Sequence, residues 1–327
     1  MELYFRKSSI AARRAMCEAA MQIDHASNRG FNEVKLAQNI ISEITGHEYV
    51  RIVNSGNSAI LSAMSSFNGK ILIPDQGGWS GFKSIAEYRG LEVIEVPTEL
   101  GVINPLVLED IIVKYKPEAL FITSFAGYIA EQPVKKLFEL CNDNNVILVE
   151  DASGGIGDNE GKLCNGKHAH VIVASTGSPK IVNVGNGGFI STGDNDFFKK
   201  SKFILKTLKA DPITCKGIFN EMSNASSILS KSVEACEFIK REFKSSIHAD
   251  KRGVNVAIRV DEPKRVGYLL RQKLNVEGRC IVTVCPRYDR ALVNAICIEI
   301  KNLDVQCMEN DTLKEIIQII KEVSGDI

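Results

Sequence analysis

NVILVEDASGGIG (residues 145–157) and, after a further loop, HVIVASTGSPKIVNVGNGGFIST (170–192) make up the stretch whose reading decides the fold. Two short apolar runs, NVILVE (145–150) and HVIVAS (170–175), are rich in β-branched residues and bounded by Gly, Asp, Ser and Asn. Unbroken apolar runs of that length read as strands buried on both faces, the kind found in parallel sheets. A third run, GGFIS (187–191), follows a glycine-rich turn. Asp151 stands at the end of the first strand, where a buried carboxylate needs a partner: a cationic ring nitrogen, an arginine or a helix N-terminus. Lys180 follows twenty-nine residues later in a Gly177-Ser178-Pro179 turn. Taken singly, a capped strand end and a solvent-facing turn lysine explain both residues.

Outward from this stretch the same rhythm continues. YVRIV (49–53), KILI (70–73), LEVIEV (91–96) and EALFIT (118–123) read as four more strands, with helical segments at about 57–67, 79–89, 105–115 and 131–143. Strands alternating with helices predict βαβ units and a mostly parallel, seven-stranded α/β sheet. Two helices precede it, over 8–26 and 32–45, with a turn at Asn28-Arg29-Gly30, and further helices fill 194–243. Around Ser246–Gly253 the composition turns polar. Beyond it come strand 255–260, helix 262–274, strands 280–285 and 291–300, and helix 311–323. These predict a smaller C-terminal α/β domain, 246–327, beside a large domain, 1–245.

Forty basic and forty acidic residues cancel, so no charge excess attracts nucleic acid or an anionic membrane. Nine cysteines scattered through apolar runs without a CxxC pair read as reduced thiols of a cytoplasmic protein. No window approaches the ~20 apolar residues of a membrane span. His168 and His170 alternate on one strand but have no acidic or cysteine ligand beside them, and no metal site is read there.

Parallel sheets collect ligands at the carboxyl ends of their strands. After the first strand, Asn54-Ser55-Gly56-Asn57-Ser58 opens a helix whose N–H groups suit an anion, or form an ordinary cap. The loop PDQGGWSGF after the second strand carries Trp79, the one tryptophan, able to cover a planar ring or to fill core. Arg279 and Arg287 flank a C-terminal strand, either as surface residues or as a clamp for a carboxylate.

In order, these motifs resemble those of the fold-type I pyridoxal phosphate (PLP) enzymes, and among them the DegT-type family that aminates keto-sugars, often nucleotide-linked. The resemblance runs from Phe31 to Ser227. It rests on LAQNIISEITG, VNSGNSAILSAM, the segment from Ile73 to Trp79, VEDASGGIG, STGSPKIVNVGNGGFIST and NEMSNASSIL, and the chain looks like a divergent, short member. The resemblance implies a fold-type I PLP-transferase in which Lys180 carries the cofactor as a Schiff base and moves protons at the substrate carbon. Asp151 keeps the ring nitrogen protonated, since the ring is an electron sink only in that state. Gly56, Asn57, Ser58, Ser153 and Ser175 lie around the phosphate and ring, and Trp79 stacks on the ring. A partner subunit's phosphate contact falls at Phe219, beside Asn220. The implied reaction is transfer of an amino group from glutamate or glutamine to a keto acceptor, a keto-sugar or nucleotide-sugar, by a homodimer with shared sites. The family's glutamine three residues after the aspartate is Gly154 here, and its aromatic pair before the lysine is Thr176-Gly177. Those departures keep a PLP lyase, desulfurase or dehydratase, or a non-catalytic PLP-binding protein, as the alternatives.

Overall fold

A computed structural model describes residues 2–22, 30–287 and 290–325. The turn read at Asn28-Arg29 lies outside the described residues. The seven apolar runs form β1 (Tyr49–Val53), β2 (Lys70–Pro74), β3 (Glu92–Val96), β4 (Ala119–Thr123), β5 (Ile147–Asp151), β6 (Val171–Ser175) and β7 (Gly188–Thr192). They make one sheet of order β1-β7-β6-β5-β4-β2-β3, in which β3, β2, β4, β5 and β6 pair in parallel. Only β7 runs the other way, antiparallel to both β6 and β1. The segment 176–187 is therefore the loop of a wide β6–β7 hairpin, and Lys180 hangs at the carboxyl end of β6.

Alternation along each strand splits the core between two faces. Leu120, Ile122, Leu148, Ile172 and Phe189 pack on one side, and Ala119, Phe121, Val149, Val173 and Ile190 on the other. With helices covering both faces, no strand needs a polar side, which is why the runs read as unbroken apolar segments. The helices run Ile10–Gln22, Gly30–Thr45, Gly56–Met64, Gly81–Arg89, Pro105–Tyr115 and Val134–Asp143, then Pro212–Met222 and Ala225–Lys240.

The C-terminal lobe holds a three-stranded antiparallel sheet, β8 (Val256–Arg259), β10 (Ala295–Ile298) and β9 (Val282–Cys285), against helices Pro263–Lys273 and Asn310–Ser324. Its core also takes Leu3 from the chain start and Ala235, Cys236, Ile239 and Phe243 from before residue 246. Two strands are shorter than their apolar runs. Arg279–Cys280 pairs instead with Asn275–Val276 across Glu277-Gly278, both at positive φ as a tight hairpin requires. After Ile298 the chain turns into a 3₁₀ segment, Ile300–Asn302, which brings Lys301 inward.

Candidate active site

The carboxyl ends of β5 and β6 meet through a serine. Asp151 is 8 % exposed, and its Oδ1 accepts from Ser153 N (3.0 Å) and Ser153 Oγ (2.5 Å). The same Ser153 Oγ accepts from Ser175 N at 2.8 Å, tying the two strand ends together. Among the described residues Oδ2 accepts no hydrogen bond, so one oxygen of a buried carboxylate is left for a further donor. Burial pushes the Asp151 carboxyl up, and Ser153 and Lys180 oppose that push.

One strand over, helix Gly56–Met64 begins against Ser175. Ser55 is its N-cap, accepting from Ser58 N at 3.1 Å. A Cβ on Gly56 would lie 2.6 Å from Ser175 Cβ, and one on Gly188 would lie 2.6 Å from Ala174 O and 2.9 Å from Gly56 N. Glycine at both positions lets the helix start, β6 and β7 close on one another, with first-turn N–H groups that have no intrahelical acceptor pointing out of the cap. Ser58 Oγ donates to Asn54 Oδ1 at 2.5 Å, so this hydroxyl supports the cap from inside. Asn57 Oδ1 accepts from Trp79 Nε1 at 3.0 Å, which joins the loop tryptophan to the helix start.

Lys180 completes the group. Its Nζ lies 5.9 Å from the Trp79 ring centroid and donates to Tyr128 Oη at 2.6 Å. Burial lowers the Lys180 ammonium, but Tyr128, Asp151 and Glu299 outweigh it and leave the group above its ordinary value. Tyr128 is a residue that the motif reading missed. It follows β4 in SFAGYIAEQ, and the rule that ligands gather at strand carboxyl ends applies to that loop as to the others. Tyr128 also explains Gly154: a Cβ there would come within 3.1 Å of Tyr128 Cδ1 and Cε1. The volume that a side chain at 154 would take is filled by the tyrosine.

Behind Tyr128 lies a buried charge cluster from the small lobe, also unread in sequence. Lys301 Nζ is 5.0 Å from the Tyr128 ring centroid and 3.3 Å from Glu299 Oε2, and Arg290 Nη1 donates to Glu299 Oε1 at 2.5 Å. Thr283 and Asn255 add hydrogen bonds to Glu299 of 2.7 and 2.8 Å. Burial lowers Lys301 to about 8 despite Glu299, and Arg290 and Lys301 hold Glu299 at about 2 against its own burial.

Other sequence candidates lie apart from this group. Asn220 donates to Lys216 O within its own helix. Arg279 lies on the Phe5 ring at 4.7 Å, and the arginine bonded to Glu299 is Arg290. Thr176 is fully buried and donates to Asn186 O at 2.7 Å, bracing the hairpin loop. His170 Nδ1 accepts from Leu148 N at 3.0 Å. Cavities of about 560 and 620 Å³ open elsewhere, one lined by Glu131 and Lys162 and the other by Arg259 and Asp261. Neither is bounded by Lys180 or Asp151, and the site is marked by its chemistry, not its volume.

A buried carboxylate with one free oxygen, a lysine under a tryptophan face, and a glycine-opened helix start form a donor set that fits pyridoxal phosphate. Asp151 suits the ring nitrogen, Lys180 the carbonyl, and Gly56–Ser58 with Ser175 the phosphate. Fold and site define an α/β enzyme of the fold-type I PLP class. The DegT/DnrJ/EryC1/StrS aminotransferase family model matches residues 8–212, and the chain belongs to that family of PLP-dependent aminotransferases. The MJ1341 family C-terminal domain model matches residues 226–321. No curated protein sequence matches the chain. Among solved structures, Helicobacter pylori PseC, an aminotransferase involved in the biosynthesis of pseudoaminic acid, superposes over 100 % of both chains with TM-score 0.80 and 15 % identity. 3-Amino-5-hydroxybenzoic acid synthase covers 100 % of both at TM-score 0.78 and 13 % identity. Spr1654 of Streptococcus pneumoniae, described as a sugar aminotransferase, matches in its PLP form over 99 % of this chain and 98 % of its own, with TM-score 0.75 and 12 % identity.

Proposed function

We propose that this chain moves an amino group from glutamate or glutamine to a keto-sugar, one carried on a nucleotide, with Lys180 as the attachment and proton-transfer residue. The observation that carries this reading is the convergence of Lys180, Trp79 and the half-satisfied Asp151 at adjoining strand ends. PLP, when bound, supplies an electron sink for the substrate's α-carbon bond. Asp151 keeps the ring nitrogen's proton, and its buried position makes that ion pair strong. Ser153 holds Asp151 and β6 at a constant separation. Gly56–Ser58 and Ser175 bind the phosphate. Lys180 Nζ takes and returns a proton at the substrate carbon. Arg290 and Lys301 against Glu299 leave one positive charge over beside the cleft, the charge a carboxylate-bearing amino donor would neutralise.

We assign residues 246–327 to the lobe that closes over the substrate, and expect a cytoplasmic homodimer in which a second copy completes each site through the region of Asn220. The test is spectroscopic. Protein loaded with PLP should absorb in the visible, borohydride should fix the cofactor to the peptide carrying Lys180, and glutamate or glutamine should bleach the visible band. Loaded protein whose spectrum ignores both donors would instead favour a lyase or dehydratase. Protein whose PLP is fixed at another lysine would refute the assignment of Lys180.

A further inference from the structure

We propose that Tyr128 is a proton-governing residue of this enzyme, holding Lys180 Nζ through both protonation states of that nitrogen. The inference deepens the function proposed above and rests on Lys180 being the attachment residue. A phenol hydroxyl accepts a hydrogen bond from an ammonium and donates one to a nitrogen that has lost its proton, by rotation about its own C–O bond. At 2.6 Å from Lys180 Nζ, Tyr128 can therefore stay in place while the nitrogen alternates between donor and acceptor.

Three features show that the position is built. Tyr128 takes a left-handed backbone conformation, φ 65°, uncommon for a tyrosine, and its carbonyl accepts from Val254 N (2.9 Å) and Asn255 N (3.0 Å) of the small lobe. Gly127 before it admits no side chain, since a Cβ would fall 2.5 Å from Arg290 Cγ. Gly154 vacates the space into which the ring packs. The charged groups that face the pair are Asp151 and Glu299, which favour the protonated lysine, and Lys301, which lies on the tyrosine ring and repels the Lys180 charge; Arg290 is paired with Glu299.

The experiment is a pH titration of the visible absorbance of the PLP-loaded protein. Tyr128→Phe keeps the ring, its packing on Gly154 and its contact with Lys301, and removes only the hydroxyl. The bond to the charged nitrogen is the stronger of the two, so losing the hydroxyl should lower the spectral midpoint by about one pH unit, a tenfold change in the proton equilibrium. Gly154→Ala leaves the hydroxyl in the chain but presses the ring aside, and should move the midpoint in the same direction. An unmoved midpoint in Tyr128→Phe that still binds PLP overturns the proposal. Opposite shifts in the two variants overturn it as well. Wild-type protein that takes up no PLP would refute the cofactor site itself, an outcome distinct from either.

Discussion

Replacing Gly56 by alanine tests whether the helix start and β6 must touch for the cofactor to bind. The new Cβ would stand 2.6 Å from Ser175 Cβ, 3.0 Å from Ser175 Cα and 3.2 Å from Ser175 N. Carbon pairs rest at roughly 3.5–4.0 Å, so the contact is short by about 1 Å. Ser175 cannot yield easily: it lies in an internal strand, paired to β7 and bonded to Ser153. The helix start must retreat instead, and overpacking of this kind costs about 1–3 kcal/mol. In a chain of this size, with an unfolding entropy of roughly 0.7 kcal/mol/K, that corresponds to a Tm lower by roughly 1–5 °C. The retreat also opens the phosphate site, so PLP affinity should fall at least about tenfold, or 1.4 kcal/mol. Thermal unfolding without PLP and an absorbance titration with it read the two effects separately. Gly193→Ala is the control, because its Cβ meets nothing within 4 Å and should leave both unchanged. Wild-type PLP affinity in Gly56→Ala would refute the idea that this close approach shapes the phosphate site.

Ser153→Ala removes one hydroxyl that serves two strand ends. Asp151 should rise further and Ser175 N be left without its acceptor, at about 1–3 kcal/mol; a spectral midpoint and a Tm both equal to wild type would contradict this. Glu150, fully buried and bonded to Ser124 Oγ and Cys164 N, is pushed up by burial from 4.5 to about 7. The folded state holds this proton more tightly than the unfolded chain, so the stability it contributes is present below pH 4.5 and is lost as pH rises through about 7, by up to roughly 3 kcal/mol. Glu150→Gln should remove that loss, and urea midpoints for wild type and variant that run parallel from pH 5 to 8 would sink the prediction.

Much of the architecture was readable because its cause is local. All seven strands of the large sheet were found within a residue or two, since a strand covered on both faces must be apolar throughout. Asp151 and Lys180 could be picked out for a related reason: the first terminates such a strand and the second lies in the loop that follows another, and their separation is a property of one hairpin and one crossover. Boundaries were harder where pairing was decided elsewhere, as at Cys280, which joined a tight hairpin instead of β9. The inward turn of Thr176, which is fully buried, was not legible, because which face of a turn is buried depends on what packs over it.

What the sequence by itself determined is the order of strands, the strand-end carboxylate and the lysine in its glycine-rich turn, all consequences of hydrophobic pattern and turn chemistry along the chain. The tertiary structure alone decided the company Lys180 keeps. Tyr128 and Lys301 stand 52 residues before it and 121 after it in the chain. Each reads as an ordinary surface residue until the sheet stacks its strand ends and the small lobe folds back over them. Gly154 looked like a lost side chain, and the fold shows its place taken by a tyrosine ring. Such an exchange conserves volume in space, not position in sequence, and only packing can record it.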